Sequence, residues 1–261
     1  MSFDLPRLRS GLKPYRLYFF PRLRSTNDHA AQLRRAGRLF GPAAVLTSRQ
    51  IAGRGRGKNT WWSTPGILTV TFAIPLHERL SPHELPLIAG LSLRDAVAEI
   101  TAEDQVLLKW PNDLLHKNRK LAGLLCERIS NVDLIGIGLN VNVNPADAPP
   151  DLRDLITSLS AMTKHHFDMT EVLIAIAKHL KHNLRRRMEI PFSSFVREYS
   201  RHDALIDRRV TVSPGGDEPP ITGICDGIDS TGRLLLRSRG KVHRIVAGMV
   251  SIPASPSRRS L

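Results

Sequence analysis

Several residue types are scarce in this chain of 261 residues, and their scarcity excludes several classes of protein. The two cysteines, Cys126 and Cys225, lie far apart, so the sequence offers neither a disulfide framework nor a cysteine-based metal site. No stretch is apolar enough to span a bilayer, and the first residues lack the apolar segment of a secretory signal. We therefore expect a cytoplasmic protein without membrane association.

Acidic residues are also scarce relative to basic ones. The chain carries 38 lysines and arginines against 24 acidic residues, which gives a formal net charge of +14 with neutral histidines. This excess favours anionic partners such as nucleotides, acidic proteins or nucleic acids, without choosing among them. Aromatic residues make up only 5% of the chain, which argues against a surface that stacks nucleic-acid bases on interleaved aromatic rings.

The most informative segment is a basic loop with the sequence GRGRGKNTWWS, at Gly53–Ser63, here called the glycine loop. Glycine allows the backbone to approach a ligand closely, and arginine offers a planar charged fork that fits carboxylate and phosphate oxygens. Three interpretations are open: a solvated basic turn, a nucleic-acid contact, or a nucleotide or acyl-phosphate site. The P-loop and dinucleotide patterns both fail to match, so a nucleotide would be bound by another arrangement.

Further blocks surround this loop. They are STN at Ser25–Asn27, KWPND at Lys109–Asp113, KLAGLLCE at Lys120–Glu127 and GIGLNVN at Gly136–Asn142. In this order and spacing, the blocks and the loop resemble those of the biotin protein ligases, also called biotin–acetyl-CoA-carboxylase ligases. The resemblance covers roughly residues 17–250. One departure is that many relatives read GRGRRGRxW, whereas Gly57 here comes one position early and Asn59 replaces the last arginine of that pattern.

The resemblance implies an α/β (α+β) fold with a mixed central sheet and flanking helices, like the class II synthetases, followed by a small SH3-like β-barrel. The order of the predicted elements agrees with this fold, because strand-like and helix-like segments alternate to about residue 200 and short strand-like runs follow. We predict a catalytic biotin- and ATP-binding domain at 1–206 and an SH3-like domain at 207–261. Some relatives also carry an N-terminal DNA-binding domain, and no helix-turn-helix segment is evident here.

Local patterns give more detailed expectations. Residues 1–14 carry no clear pattern and are expected to be irregular. Ser81–Glu84 reads as a capping box with proline at the first helical position, which predicts a helix from there to about Ile100. The apolar runs Lys120–Ile129 and Val132–Val143 predict a hairpin within the sheet. Other strands are predicted at 15–20, 43–47, 67–74 and 106–110, and other helices at 26–35, 169–188 and 192–199.

The resemblance also implies a two-step reaction and assigns its residues. Biotin's carboxylate attacks the α-phosphate of ATP, which releases pyrophosphate and leaves biotinyl-5′-AMP. A lysine of a biotin carboxyl carrier protein or domain of acetyl-CoA carboxylase then attacks this mixed anhydride. The residues that the resemblance assigns to biotin are Ser25, Thr26, Asn27, Gln50, Gly53, Arg54, Gly55, Arg56, Lys120 and Gly123. Those assigned to ATP are Arg56, Trp61, Asn112, Lys120 and Asn140, and the catalytic ones are Arg56 and Lys120. We add Asp113 to the catalytic residues as a hypothesis, because its carboxylate stands beside Asn112.

These residue types suit the chemistry. The first step joins two anions, so it needs fixed positive charge, for which Arg54, Arg56 and Lys120 are candidates. Biotin's carboxylate is ionised at neutral pH, so no protein nucleophile is required. Mg²⁺ would accompany ATP, held mainly by phosphate oxygens and water rather than by protein ligands. Asp113 is a hypothetical acceptor or orienting group for the proton of the attacking lysine.

Two alternatives are open. A lipoate or octanoate ligase or transferase of the same superfamily would favour an Arg-Arg-x-x-Gly-Gly-Gly loop, and this chain lacks the triple glycine. A nucleic-acid-binding protein would explain the glycine loop and the charge but would leave the Lys109–Asp113 block unexplained. Because relatives often pair through sheet edges, we also expect a possible homodimer.

Overall fold

The computed structural model describes residues 3–214 and 218–252, so 215–217 and 253–261 of the predicted C-terminal domain lie outside it. Its centre is a sheet whose strands lie in the order β1-β2-β3-β7-β6-β5-β4. These strands are β1 (Arg16–Phe20), β2 (Ala43–Thr47), β3 (Ile67–Pro75), β4 (Val106–Lys109), β5 (Asp113–His116), β6 (Arg119–Ile129) and β7 (Val132–Asn140). Strands β1 and β2 are parallel and the other pairs are antiparallel, which confirms the mixed central sheet.

Helices cover both faces of this sheet. They are α1 (Leu5–Gly11), α2 (Thr26–Arg35), α3 (Leu85–Thr101), α4 (Leu159–Thr163), α5 (Met169–Glu189) and α6 (Ser193–Ser200), with a 3₁₀ turn at Pro145–Asp147. Helices α3 and α5 pack together over one face, and α2 packs on the other. Within the described residues, none of these helices has the length and apolar character that a bilayer crossing requires.

Strand alternation gives the two faces of the sheet different chemistry, because successive side chains point to opposite sides. In β3, Leu68 and Val70 enter the large apolar core under α3 and α5, whereas Thr71 contacts the start of α2 on the other side. In β7, Ile135 and Ile137 belong to the same core. The residues between and beside them, Gly136 and Gly138, therefore lie on the α2 face and leave it open at its centre.

The C-terminal strands form a second, antiparallel sheet with the order β11-β10-β9-β8-β12. They are β8 (Arg209–Ser213), β9 (Ile221–Ile228), β10 (Leu234–Ser238), β11 (Lys241–Ile245) and β12 (Met249–Ser251). The prediction of a closed barrel was wrong, because in the described part of the chain the edge strands β11 and β12 do not pair. Strand β12 has only three residues and pairs with β8.

The two sheets share one apolar core. Val210 and Leu234 of the second sheet belong to the cluster that fills the space under α3 and α5. The indole N–H of Trp110 also donates to the carbonyl oxygen of Gly232 at 3.0 Å. The division into domains at residues 206 and 207 therefore stays a prediction.

Two local predictions were wrong for identifiable reasons. Residues 1–14 contain α1, whose first turn is capped by Asp4 through a hydrogen bond from the backbone N–H of Arg7. Seven residues are too few to show helical periodicity. Helix α3 begins at Leu85 rather than at Pro82. The Glu84 carboxylate pairs with the guanidinium of Arg187 at 2.8 Å and caps no helix.

The hairpin prediction was confirmed, since β6 and β7 pair from Ala122 to Ile129 around a turn at Ser130–Asn131. Ser130 adopts a left-handed backbone conformation with φ of 53°. The sequence did not predict β5, which forms a second hairpin with β4 around Trp110–Asn112. This second turn places the Lys109–Asp113 block beside the glycines of β6 and β7.

Candidate functional site

A cavity of about 450 Å³ opens on the α2 face of the large sheet. Its walls are the start of α2, the glycine loop, the β4–β5 turn and the segment 248–250 of the second sheet, and glycines of β6 and β7 form its floor. Twelve of the fourteen predicted site residues line it: Ser25, Thr26, Asn27, Gln50, Arg54, Gly55, Arg56, Trp61, Asn112, Asp113, Lys120 and Gly123. The two that do not are Gly53 and Asn140.

One end of the cavity is a polar corner built on the first turn of α2. Ser25 caps this helix, and its hydroxyl oxygen accepts from the backbone N–H of Asp28 at 3.4 Å. The N–H and the hydroxyl of Thr26 both donate to Gln50 Oε1, at 2.7 and 3.1 Å. Asn27 Oδ1 lies 2.6 Å from the Thr71 hydroxyl. The corner thus holds buried donors and acceptors in fixed positions beside the cavity.

The floor of the cavity is bare because three glycines face it. A Cβ on Gly136 would overlap Asn27 Oδ1, and a Cβ on Gly138 would overlap the indole ring of Trp61. A Cβ on Gly123 would lie 3.3 Å from the same indole and 3.0 Å from Lys120 Cε. These positions must lack a side chain for the Asn27 amide and the Trp61 ring to reach the sheet. The indole N–H of Trp61 is buried and has no hydrogen-bond partner among the described residues, whereas its backbone N–H is bonded within the loop.

The other end of the cavity gathers positive charge around one carboxylate. Lys120 Nζ lies 2.7 Å from Asp113 Oδ1 and 5.8 Å from the centre of the Trp61 ring. Arg56 Nη1 donates to the carbonyl oxygen of Gly248 at 3.1 Å. Burial lowers the pKa of Arg56, which the Asp113 carboxylate partly offsets. Desolvation of this kind strengthens the attraction of Arg56 for an incoming anion.

Lys109 is a member of this cluster that the sequence analysis did not assign. Its side chain lines the cavity beside Asp113. Burial lowers the pKa of Lys109, the charge of Lys120 lowers it further, and Asp113 opposes both effects. Its place as the first letter of the KWPND block was the signal that could have identified it.

Three predicted residues use their polar groups elsewhere. The guanidinium of Arg54 forms ion pairs with Asp28 and Glu127 at the rim of the cavity. The Asn112 amide donates to the Leu124 carbonyl oxygen at 2.6 Å, which ties the β4–β5 turn to β6. Asn140 is buried, and its amide donates to the Thr157 carbonyl oxygen at 2.9 Å. The predicted direct contact of Asn140 with ATP therefore has no support in this geometry.

Gly53 also lies outside the cavity. A Cβ there would lie 2.6 Å from the Trp61 carbonyl oxygen and 2.9 Å from Gln50 Nε2. Its backbone carbonyl accepts from the Trp61 N–H at 2.9 Å. Gly53 therefore lets the two ends of the glycine loop approach one another, and its predicted contact with biotin stays a prediction.

Comparison with known proteins identifies the family to which this chain belongs. The sequence profile of the Biotin/lipoate A/B protein ligase family matches residues 19–144. The chain is also 31% identical over 233 residues to a Biotin--[acetyl-CoA-carboxylase] ligase of Mycobacterium tuberculosis, an alignment that covers 87% of this chain and 85% of that protein. This chain belongs to the biotin protein ligase family.

Solved structures of biotin protein ligases share its architecture. The structure of the Aquifex aeolicus biotin protein ligase in complex with biotin and ATP superposes with a TM-score of 0.81 at 29% identity, covering 92% of this chain and 99% of that one. The Leishmania major biotin protein ligase in complex with biotinyl-5-AMP gives a TM-score of 0.64 at 28% identity, covering 93% of this chain and all of that one. The similarity therefore extends over both sheets.

The ligase architecture brings a further set of residues to the cavity, which sequence reasoning missed. They are Asn59, Thr60, Thr69, Lys109, Trp110, Pro111, Leu124, Leu125, Gly136, Ile137, Gly138, Leu152, Gly248, Met249 and Val250. The glycines of β7 stand in the quoted GIGLNVN block, which could have identified them. Segment 248–250 carries no motif, and nothing in its sequence signals a place in this biotin-ligase site.

Proposed function

We propose that this protein activates biotin with ATP and transfers it to a lysine of an acceptor protein. The observation that carries the proposal is the convergence of four separate sequence blocks and the glycine loop on one cavity. That cavity has fixed donors and acceptors at one end. At the other end lie the positively charged side chains of Arg56, Lys109 and Lys120, here called the cation cluster. Its relatives support the proposal, since one was solved in complex with biotin and ATP and another with biotinyl-5-AMP.

The polar corner suits the ureido group of biotin, which has two N–H donors and one carbonyl acceptor. Asn27 Oδ1 and the hydroxyls of Ser25 and Thr26 can accept the N–H groups, and the amide nitrogen of Gln50 can donate to the carbonyl. Because Gly136 and Gly123 carry no side chain, the Asn27 amide and the Trp61 ring lie close to the sheet, and the bicyclic ring and the valeryl chain would occupy the space above them. This arrangement directs the biotin carboxylate toward the cation cluster.

The cation cluster suits the adenylation step. The biotin carboxylate attacks the α-phosphate of ATP, the new C–O–P link forms, and pyrophosphate leaves. Arg56, Lys109 and Lys120 would offset the repulsion between the two anions and stabilise the charge that develops on the phosphate. One preorganised donor of this kind contributes roughly 3–4 kcal/mol, by analogy with an oxyanion-hole donor.

Other groups of the site would place the nucleotide. We propose that Trp61 flanks the adenine side and that Asn112 contributes by holding the β4–β5 turn. Asn140 would act indirectly, through the Thr157 and Lys120 backbone that it holds. No three His, Cys, Asp or Glu side chains gather as a metal site in the described parts of the chain. Mg²⁺ would be held mainly by the triphosphate and water.

The second step needs a neutral lysine from the acceptor. Its amine attacks the acyl carbonyl of the mixed anhydride, the amide forms, AMP leaves, and the amine loses a proton. Asp113, which lines the cavity beside Lys120, would accept or orient that proton. The proposed acceptor is a biotin carboxyl carrier domain with an acidic surface, which would complement the net charge of +14. The homodimer and the cytoplasmic location stay predictions.

The test is labelling of an acceptor lysine. The purified protein is incubated with ATP, Mg²⁺, biotin and a carboxylase carrier domain, and the carrier mass is measured. We expect a mass increase of one biotinyl group, lost when ATP is omitted or the carrier lysine is replaced by arginine. A carrier of the lipoyl type with lipoate or octanoate serves as the alternative substrate pair. Lipoylation without biotinylation, or no biotin-dependent pyrophosphate exchange, would overturn the proposal.

A further inference from the structure

The guanidinium of Arg54 faces two acids at the rim of the cavity instead of the cation cluster. Its Nη2 lies 2.7 Å from Asp28 Oδ1 and 2.9 Å from Glu127 Oε2. It also lies 3.0 Å from Glu127 Oε1, so that it spans both oxygens of that carboxylate. Asp28 belongs to α2, and Glu127 belongs to β6. We call these three residues the Arg54 clasp, because they join the glycine loop to two elements of the sheet domain.

The same carboxylate also holds the polar corner. Glu127 Oε2 accepts from Asn27 Nδ2 at 2.7 Å, and the Leu125 carbonyl oxygen accepts from the same nitrogen at 3.1 Å. These two acceptors fix the orientation of the Asn27 amide, so its Oδ1 is turned toward Thr71 and the floor at Gly136. One side chain thus positions both a residue of the proposed biotin end and the loop that covers it.

Between Arg54 and Trp61, few hydrogen bonds join the glycine loop to its surroundings. Its hydrogen bonds from Gly55 N–H to the Asn59 carbonyl and from Trp61 N–H to the Gly53 carbonyl are internal to the loop. Three glycines, at 53, 55 and 57, lower the resistance of its backbone to rearrangement. Among the described contacts, Arg54 ties the first part of the loop to α2 and β6, and Arg56 ties it to Gly248 beside β12. Further along, the Trp61 ring packs on the floor of the cavity and the Ser63 hydroxyl accepts from the Gln50 N–H at 3.1 Å.

We propose that Asp28 and Glu127 are positioning residues that hold the glycine loop closed over the cavity. Through Asn27, Glu127 couples this closure to occupation of the biotin end, and the coupling acts in both directions. The inference rests on the proposed function, since the retained molecules are biotin and biotinyl-5′-AMP. Arg54 then acts in retention rather than as a direct ligand of phosphate.

Two charge-removing substitutions of nearly unchanged shape test the clasp, Asp28→Asn and Glu127→Gln. The measurements are the dissociation rate of biotin and the release rate of biotinyl-5′-AMP from preloaded protein. We expect each variant to raise both rates about fivefold, within the range for a charge-assisted pair at a partly exposed site. Pyrophosphate exchange at saturating biotin should stay within about twofold of wild type, because the clasp does not touch the reacting atoms.

Salt and a conservative variant separate the clasp from a merely structural role. Asp28 and Arg54 have 42% and 41% of their side-chain surface exposed, so ions can reach the pair. Raising NaCl from ~0.05 to ~0.5 M should speed release from wild type toward the rate of the variants and should change Asp28→Asn much less. Asp28→Glu, which keeps the charge, should restore most of the retention.

The matched control is Glu99→Gln on the opposite face, which alters the contacts of that carboxylate with Lys178 and His179. Glu99 is about as exposed as Asp28. The control variant should release both ligands at the wild-type rate. If wild type binds no biotin, the proposed function fails. If wild type binds biotin and Asp28→Asn and Glu127→Gln release it at the wild-type rate, the clasp proposal fails alone. Thermal unfolding checks folding, and Asp28→Asn decides by itself if Glu127→Gln does not fold.

Discussion

Asp203 offers a measurable link between burial and stability at the junction of the two sheets. Its side chain is buried, and its Oδ1 accepts from the Leu205 N–H at 2.8 Å. Its Oδ2 has no hydrogen-bond partner among the described residues. Burial is the dominant influence and raises the pKa of Asp203 from 3.8 to about 6, while the Leu205 N–H works weakly in the opposite direction. We predict that Asp203→Asn stabilises the protein at neutral pH.

The sign and size follow from linkage. Below pH 3.8 Asp203 is protonated in both states, and its burial as a neutral group costs little. Between pH 3.8 and about 6 the unfolded chain ionises while the folded one holds its proton, so stability falls as pH rises. Above pH 6 the full penalty persists. A shift of about two pKa units corresponds to about 3 kcal/mol, which Asn avoids because it mimics the protonated carboxyl.

Urea unfolding of wild type and Asp203→Asn at pH 4 and pH 7.5 measures this difference. We expect a gain in the free energy of unfolding of up to about 3 kcal/mol at pH 7.5, little change at pH 4, and equal m-values. Asp226→Asn is the matched control of opposite sign. The hydrogen bond from Arg237 lowers the pKa of Asp226, so replacing Asp226 with Asn should lower the free energy of unfolding at pH 7.5. A gain independent of pH, or a loss at pH 7.5, would refute the reasoning.

Four substitutions test the cavity. Gly138→Ala should displace the Trp61 indole and weaken biotin binding about tenfold by calorimetry, and unchanged affinity would contradict the bare floor. Lys120→Ala should slow biotin-dependent pyrophosphate exchange about 100-fold, whereas an unaffected rate would remove Lys120 from adenylation. Arg56→Ala should raise the rate at which biotinyl-5′-AMP escapes, followed by chromatography, more than it weakens capture of biotin. Asp113→Asn should slow transfer from preformed biotinyl-5′-AMP about tenfold near neutral pH. Transfer at the wild-type rate would exclude Asp113 from that step.

The cavity could be largely predicted from the sequence because most of its residues lie in short contiguous blocks. Ser25–Asn27 sits at a helix start, where polar side chains cap the backbone, and Lys109–Asp113 sits at a strand end. The resemblance to the biotin protein ligases assigned these blocks to a ligand, and their contiguity brings several side chains to the cavity at once. The central sheet followed from apolar runs of strand length for the same reason.

The features that escaped prediction depend on residues distant in sequence. The role of Asn140 is set by the Thr157 carbonyl, and the direction of Arg54 is set by Glu127, which lies 73 positions away. The open C-terminal sheet depends on which edge strands meet, which short strand-like runs do not reveal. No local pattern encodes these contacts, since they arise only when the chain packs.

The contact of Arg56 with the Gly248 carbonyl joins positions 192 residues apart in the chain. Because a ribosome delivers the N-terminal part first, the glycine loop is synthesised long before the segment around Gly248 that anchors it. The pocket is consequently among the last features to be assembled, after the second sheet has emerged. A nascent or truncated polypeptide that stops short of β12 would have the blocks of the enzyme without the wall that encloses them.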